Sequence, residues 1–354
     1  MRSFVYAGAP SRVVFGAGAV ARLAEEIDRL GAKRALLLVT PGRSASVRTR
    51  LAGLGERLAG IYDRATMHVP VEIAADARRV AEELRADCCI AWGGGSTIGL
   101  GKAIALTSGL PVIAVPTTYS GSEMTAVVGM TEGGEKKTQR DARMLPKTVV
   151  YDPELTLGLP AATSAASGMN AMAHCVEALY AHDANPVSML LAEEGIRAIA
   201  NALPRVVAAP ADLDARSEAL YGAWLAGSSF ATTSLGLHHR LCHVLGGTFN
   251  LPHAETHSIV LPHALRYNRD AAPDAMRRIA RALGAHDVAN ALYDLEVKLG
   301  LKMKLAEIGM PEDGLARAAK IATESPYPNP RPPVYEHVLK VLEDAYHGRR
   351  PSCD

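Results

Sequence analysis

Between Arg12 and Asp152, short aliphatic or β-branched runs alternate with amphipathic stretches, which predicts strands and helices in turn. Strands are expected at Arg12–Phe15, Arg34–Thr40, Asp87–Trp92 and Pro111–Pro116, with a weaker one at Leu58–Arg64. Helices are expected at Gly18–Leu30 and Val71–Arg85. Leu36, Leu37, Leu38 and Val39 offer no polar face, as in a strand buried on both sides. Such alternation implies βαβ units and a mostly parallel sheet covered by helices. After Asp152 the texture changes: Ala, Leu and Met dominate, and 3.6-period segments follow one another at Ala161–Ala181, Pro186–Val207, Asp212–Thr233, His253–Asn268, Ala272–Leu283 and Asp287–Ile308. The pattern predicts an α/β domain over residues 1–155 and an all-helical domain over residues 156–354, divided near Tyr151–Pro160, where Asp152-Pro153 and Leu159-Pro160 punctuate the chain. Polar, charged Thr131–Pro146 reads as a hairpin or a long loop. Glu324–Pro333, with five prolines, reads as a rigid extended passage.

A chain of 354 residues suits two domains at about 100–200 residues each. Its 38 Lys and Arg nearly balance 37 Asp and Glu, so no global field attracts nucleic acid or an anionic membrane. Any anionic ligand must be held by local groups. The five cysteines are an odd number without a Cys-x-x-Cys pair, and they read as reduced thiols. The N-terminal Phe4-Val5-Tyr6 is too short for a signal-peptide core, and no run reaches the roughly 18 apolar residues of a membrane span. A cytoplasmic protein is expected.

Two polar turns carry candidate chemistry. Gly93-Gly94-Gly95-Ser96 follows the strand ending at Trp92 and precedes a helix beginning near Thr97, so its backbone N–H groups suit a pyrophosphate. Pro116-Thr117-Thr118-Tyr119-Ser120-Gly121-Ser122-Glu123 follows the next strand and brings hydroxyls to the same edge of the sheet. The first turn competes, because Gly16, Gly18 and Ala21 satisfy a relaxed dinucleotide fingerprint. That fingerprint expects an acid about 20 residues on, and the strand there ends instead in Thr40-Pro41-Gly42-Arg43. The pyrophosphate is therefore assigned to the Gly93–Ser96 turn, at Gly94, Gly95 and Ser96, and Thr117, Thr118 and Ser120 are expected in the same cofactor crevice. Thr40 and Arg43, with no acid to exclude a 2′-phosphate, predict that NADPH is accepted as well as NADH.

In the helical half, Asn170 and His174 share a face at i and i+4, as do His239 and His243, and His253 follows ten residues after His243. Imidazole is both a metal ligand and an acid that works near neutrality. Ordinary core or surface roles are expected for His68, His182, His263, His286, His337 and His347.

These motifs, in this order, resemble the iron-containing alcohol dehydrogenases over nearly the whole chain. The carriers are Gly93–Ser96, Pro116-Thr117-Thr118 with Gly121-Ser122-Glu123, Asp152-Pro153-Glu154-Leu155, Gly168 to His174, and His239 through Gly246 to Pro252-His253. The resemblance implies a dinucleotide-binding domain, an all-helical domain of the dehydroquinate synthase-like type, and an active site in the cleft between them. The family's ligand Asp and three His fall on Asn170, His174, His239 and His253, while His243 matches a histidine beside the nicotinamide that is not a ligand. Asn170 removes the anionic ligand, and Gly99 stands where most members carry an Asp. With Phe4-Val5-Tyr6 and Tyr327-Pro328-Asn329-Pro330-Arg331-Pro332, the chain looks like the maleylacetate reductase branch, which reduces a carbon–carbon double bond to give 3-oxoadipate in aromatic-compound degradation.

The resemblance thus implies NADH or NADPH as cofactor, a dicarboxylate substrate, a homodimer and no required metal. His174, His239, His243 and His253 are the expected catalytic residues, donating hydrogen bonds to a developing enolate with one or more of them protonated. Arg240 is left out, since i+1 from His239 points it off the shared face. The rival is a metal-dependent alcohol dehydrogenase of the same superfamily. A lyase of the dehydroquinate synthase type shares the plan, but its basic phosphate-binding pattern is not evident.

Overall fold

Continuous apolar runs become the interior of a sheet. The computed structural model describes residues 4, 6, 8, 11–67, 69–132 and 135–352. Val5, His68 and Cys353 lie outside them. The chain divides into two compact units, Ala9–Leu159 and Pro160–Asp354; Phe4, Tyr6 and Gly8 group with the helical unit rather than with the sheet.

The first unit runs β1 (Arg12–Phe15), α1 (Leu23–Arg29), β2 (Ala35–Leu38), α2 (Ser44–Arg50), β3 (Leu58–Tyr62), α3 (Val71–Glu83), β4 (Cys88–Gly93), α4 (Gly95–Ser108) and β5 (Val112–Pro116). A separate antiparallel hairpin, β6 (Val127–Glu132) with β7 (Glu135–Arg140), precedes β8 (Thr148–Tyr151). The main sheet has the order β1-β8-β5-β4-β2-β3 with every pairing parallel. From β2 the chain moves to the edge strand β3, and from β4 it moves to β5 and β8 in the opposite direction. The order therefore reverses between β2 and β4, and the carboxyl ends of those strands are where open α/β sheets bind ligands.

Three expectations change here. β2 stops at Leu38, so Val39 and Thr40 form its exit. β8 and α2 were not foreseen, although Thr148-Val149-Val150-Tyr151 is fully buried and pairs with both β1 and β5. The expected helix at Gly18 begins as a 3-10 turn, Ala19–Arg22, because Gly18 holds a left-handed φ of 72°.

The second unit contains α5 (Ala161–Tyr180), α6 (Pro186–Ala208), α7 (Leu213–Phe230), α8 (Leu237–Phe249), α9 (His253–Asn268), α10 (Pro273–Leu283), α11 (Val288–Lys298), α12 (Leu315–Thr323) and α13 (Tyr335–His347). α5 is buried from Ser164 to Tyr180. α6 and α7 approach closely where a Cβ on Gly222 would lie 2.6 Å from Ile199 Cγ1 and 3.3 Å from the Gly195 carbonyl. The long helix expected at Asp287–Ile308 ends at Lys298, because Gly300 at φ 68° turns the chain before a 3-10 turn at Leu305–Ile308. α12 and α13 were not predicted; the proline-rich passage lies between them without regular structure. No described helix is long and apolar enough to cross a membrane.

Candidate active site

In the sheet unit, Gly94 caps α4, so the N–H groups of Gly95 and Ser96 open the helix without an intrahelical carbonyl to bond. Gly93 sits at φ 152°, a conformation that favours glycine. Thr117 N–H donates to the Gly93 carbonyl at 3.1 Å, which locks the two polar turns together. A Cβ on Gly94 would stand 3.0 Å from Thr118 Cγ2, and one on Gly95 4.0 Å from Ser120 Oγ. Thr118 and Ser120 thus face the glycine turn. Gly95 itself is exposed.

Buried charge holds this arrangement. Lys102 of α4 donates to Ser122 O (2.5 Å), Val127 O (2.8 Å), Thr125 Oγ1 (2.9 Å) and Ser122 Oγ (3.1 Å). Burial pulls its ammonium down to about 7, against the attraction of Glu123. Glu123, raised by its own burial, accepts from Tyr151 at 2.9 Å and from Ser120 at 3.2 Å. Gly99 is explained by packing, since a Cβ there would meet Val69 Cγ2 at 2.8 Å.

The competing first turn is already occupied. Asp152 accepts from Gly18 N–H at 3.2 Å and Val20 N–H at 3.1 Å, filling the amides a phosphate would need. At the exit of β2, Gly42 adopts φ 77°, Arg43 N–H donates to the Thr40 carbonyl at 3.3 Å, and the Arg43 side chain is exposed.

In the helical unit, the rings of His174 and His239 stack at 5.1 Å and 16°, and Phe230 stacks against both, 4.4 Å from His174 and 5.2 Å from His239. His243 lies 6.0 Å from His239. His257 packs against both His239, at 4.9 Å, and His253, at 4.3 Å. His174 and His239 are buried, His243 is half-buried, and His253 is exposed. Burial first, and neighbouring histidines second, push His174, His238 and His257 well below the usual imidazole range. Protonation of His174 is therefore disfavoured.

Glu177 organises the cluster. Its buried carboxylate accepts from Gly236 N–H at 3.1 Å, from His238 N–H at 2.9 Å and from His239 Nδ1 at 2.6 Å. A carboxylate only accepts, so His239 Nδ1 carries a proton and donates it to Glu177. His239 Nε2 has no hydrogen-bond partner among the described residues. Gly236 permits this approach, since a Cβ would meet Asn329 Oδ1 at 2.8 Å and Glu177 Oε1 at 3.1 Å. Asn329, in the proline-rich passage, accepts from Leu237 N–H at 3.0 Å and donates to Asn268 of α9 at 2.7 Å. Arg240 turns away and donates to the Ile321 carbonyl at 2.8 Å.

The ligand set implied by the family fits a divalent cation poorly. Asn170 is a neutral amide, the three imidazoles bring no charge to offset a dication, and Glu177 is committed to His239 and two backbone amides. The helical unit also holds a cavity of about 860 Å³ bordered by Tyr180, Asp183, Ser234 and Asn329. None of the four candidate histidines lines it.

Glu177, His238, Cys242 and His257 were missed by sequence reading. The signal was present in spacing: Glu177 follows His174 by three, Cys242 follows His238 by four, and His257 follows His253 by four.

Residues 10–153 match the family described as iron-containing alcohol dehydrogenase, and residues 164–346 match the C-terminal part of the Fe-containing alcohol dehydrogenase family. The chain is 58% identical over 353 residues to a maleylacetate reductase of Burkholderia cepacia, covering 99% of this chain and 100% of that one. Identity is 54% to the enzyme of that name from Sphingobium indicum, covering 98% and 99%. The crystal structure of maleylacetate reductase from Agrobacterium tumefaciens superimposes with a TM-score of 0.96 at 47% identity, covering 99% of this chain and 100% of that one. The chain belongs to the iron-containing alcohol dehydrogenase family, in its maleylacetate reductase branch.

Proposed function

We propose that the chain reduces the carbon–carbon double bond of maleylacetate to give 3-oxoadipate, drawing hydride from NADH or NADPH. The observation that carries this reading is identity of 47–58% to maleylacetate reductases over nearly the full length. The bound nicotinamide supplies a hydride to the alkene carbon β to the ketone. The protein must then stabilise charge on the ketone oxygen and deliver a proton to the α carbon.

Backbone N–H groups of Gly94, Gly95 and Ser96 bind the pyrophosphate, while Thr117, Thr118 and Ser120 orient the nicotinamide half. Thr40 and Arg43 receive the adenosine ribose, and Arg43 gives a 2′-phosphate a partner. His243 and His253, the two less buried rings, donate to the developing enolate, and one of them protonates the α carbon. His239, held by Glu177, and neutral His174 set the floor of the site and position those rings. A ketone conjugated to an alkene accepts hydride with little electrophilic help, so the reaction tolerates Asn170 and proceeds without metal. The reading includes a homodimer, checked by sedimentation.

A spectrophotometric assay of NADH oxidation with maleylacetate tests the proposal. Turnover with maleylacetate well above that with simple aldehydes is expected. Aldehyde reduction without maleylacetate turnover would replace it with a metal-dependent alcohol dehydrogenase.

A further inference from the structure

The one group of three close metal-type donors among the described residues is not the set the family implies. It consists of His238 and Cys242, at i and i+4 on α8, and His257 on α9, all buried, with one ligand atom from each lying within 4.8 Å of the others. We propose that His238 Nε2, Cys242 Sγ and His257 Nδ1 form a binding site for a soft monovalent cation of the cuprous type.

Geometry supports coordination. His238 Nε2 is 3.0 Å from His257 Nδ1, and Cys242 Sγ is 3.7 Å from His238 Nε2. With bonds of about 2.0 Å to nitrogen and about 2.3 Å to sulfur, donors around one ion stand roughly 3.3–3.7 Å apart. The two distances from His238 Nε2 lie within about 0.3 Å of that range, and all three donor atoms lie within 4.8 Å of one another. His238 Nδ1 and His257 Nε2 have no hydrogen-bond partner among the described residues, so neither ring is tied to one tautomer by a second contact. Each can carry its proton on that outer nitrogen while the inner one binds the ion.

Donor chemistry selects the ion. A thiolate and two uncharged imidazoles give a donor set of charge −1, which a monovalent cation neutralises, and thiolate sulfur favours soft cations over hard ones. On binding, the Cys242 S–H bond breaks, the S–Cu bond forms and one proton leaves to solvent; no electron is transferred. The ion would bridge α8 to α9 beside His239 and His253, whose rings lie 4.9 and 4.3 Å from His257.

The test is anaerobic titration of the chelator-treated full chain with cuprous ion against a chromophoric chelator, followed by X-ray absorption at the copper edge. One ion per chain should be withdrawn from the chelator, with one sulfur and two nitrogens in its first shell. Cys242→Ser should lose the sulfur shell and bind at least about tenfold more weakly, about 1.4 kcal/mol. His174→Asn should bind as the parent does. If Cys242→Ser does not fold, His257→Asn serves, with one nitrogen lost. Failure to compete with the chelator, a sulfur shell that survives Cys242→Ser, or loss of the ion in His174→Asn would each overturn the site. None of these outcomes decides whether maleylacetate is the substrate.

Discussion

The two units present their candidate chemistry in opposite ways. In the sheet unit it is backbone: N–H groups freed at Gly95 and Ser96 by the start of α4, with Thr118 and Ser120 closing over them. In the helical unit it is side chain: rings packed at 4.3–6.0 Å, with His239 held by one buried carboxylate, Glu177. A backbone site is written locally, since glycine at a strand-to-helix turn is nearly the whole device. A side-chain cluster is written in tertiary packing. The contrast also separates two glycine turns in the same sheet, because the amides at Gly18 and Val20 are taken by Asp152. Occupancy of the N–H groups, rather than the glycine spacing, marks the ligand site.

If the contrast is right, damage to one unit should spare the other's readout. The largest effect should come from His243→Ala or His253→Ala, lowering kcat by about 100- to 1000-fold with cofactor affinity unchanged. Steady-state kinetics with fluorescence titration of NADH checks both halves, and an equal loss of cofactor affinity would break the division. Next comes Gly95→Phe, which places bulk over the amides and should raise the NADH dissociation constant about 10- to 100-fold, roughly 1.4–2.8 kcal/mol. Gly18→Ala should cost stability at its φ of 72° and leave that constant alone. Arg43→Ala should weaken NADPH about tenfold and NADH little. Complete rejection of NADPH by the parent protein would refute that placement.

The smallest effect belongs to Glu296, buried in α11 with neither carboxyl oxygen partnered among the described residues. Burial alone raises it well above its ordinary 4.5. A carboxyl raised in the folded state binds its proton more tightly there than when unfolded, so stability is full below pH 4.5 and is lost as pH climbs toward the folded value. Glu296→Gln should therefore raise Tm at pH 8 by about 2–6 °C, roughly 1–2 kcal/mol, and change it little at pH 4.5. An equal gain at both pH values would mean that ionisation is not the cause.

Legibility followed the same divide. β4, β5 and the Gly93–Ser96 turn were readable because apolar run, glycine and hydroxyl cluster lie within a few residues. β8 was overlooked although its β-branched run was in view, because four residues between polar loops look like any short apolar stretch. α8 carries Gly246 and Gly247 and a polar face that looks outward in sequence but is buried at His238 and His239, so periodicity alone missed it. His174 and His239 were found from i, i+4 spacing. The partners that set their state, Glu177 and His257, come from other turns and other helices, and only packing reveals them. The disfavoured protonation of His174 likewise follows from burial among four other rings, which spacing does not show.

The most direct test of the account is maleylacetate reduction after exhaustive chelation, with residual iron and zinc measured by elemental analysis. With Asn170 in place of an anionic ligand, turnover should remain essentially intact in protein carrying far less than one metal per chain. Loss of turnover on chelation, restored by iron or zinc, would contradict the account and return His174, His239 and His253 to the role of ligands.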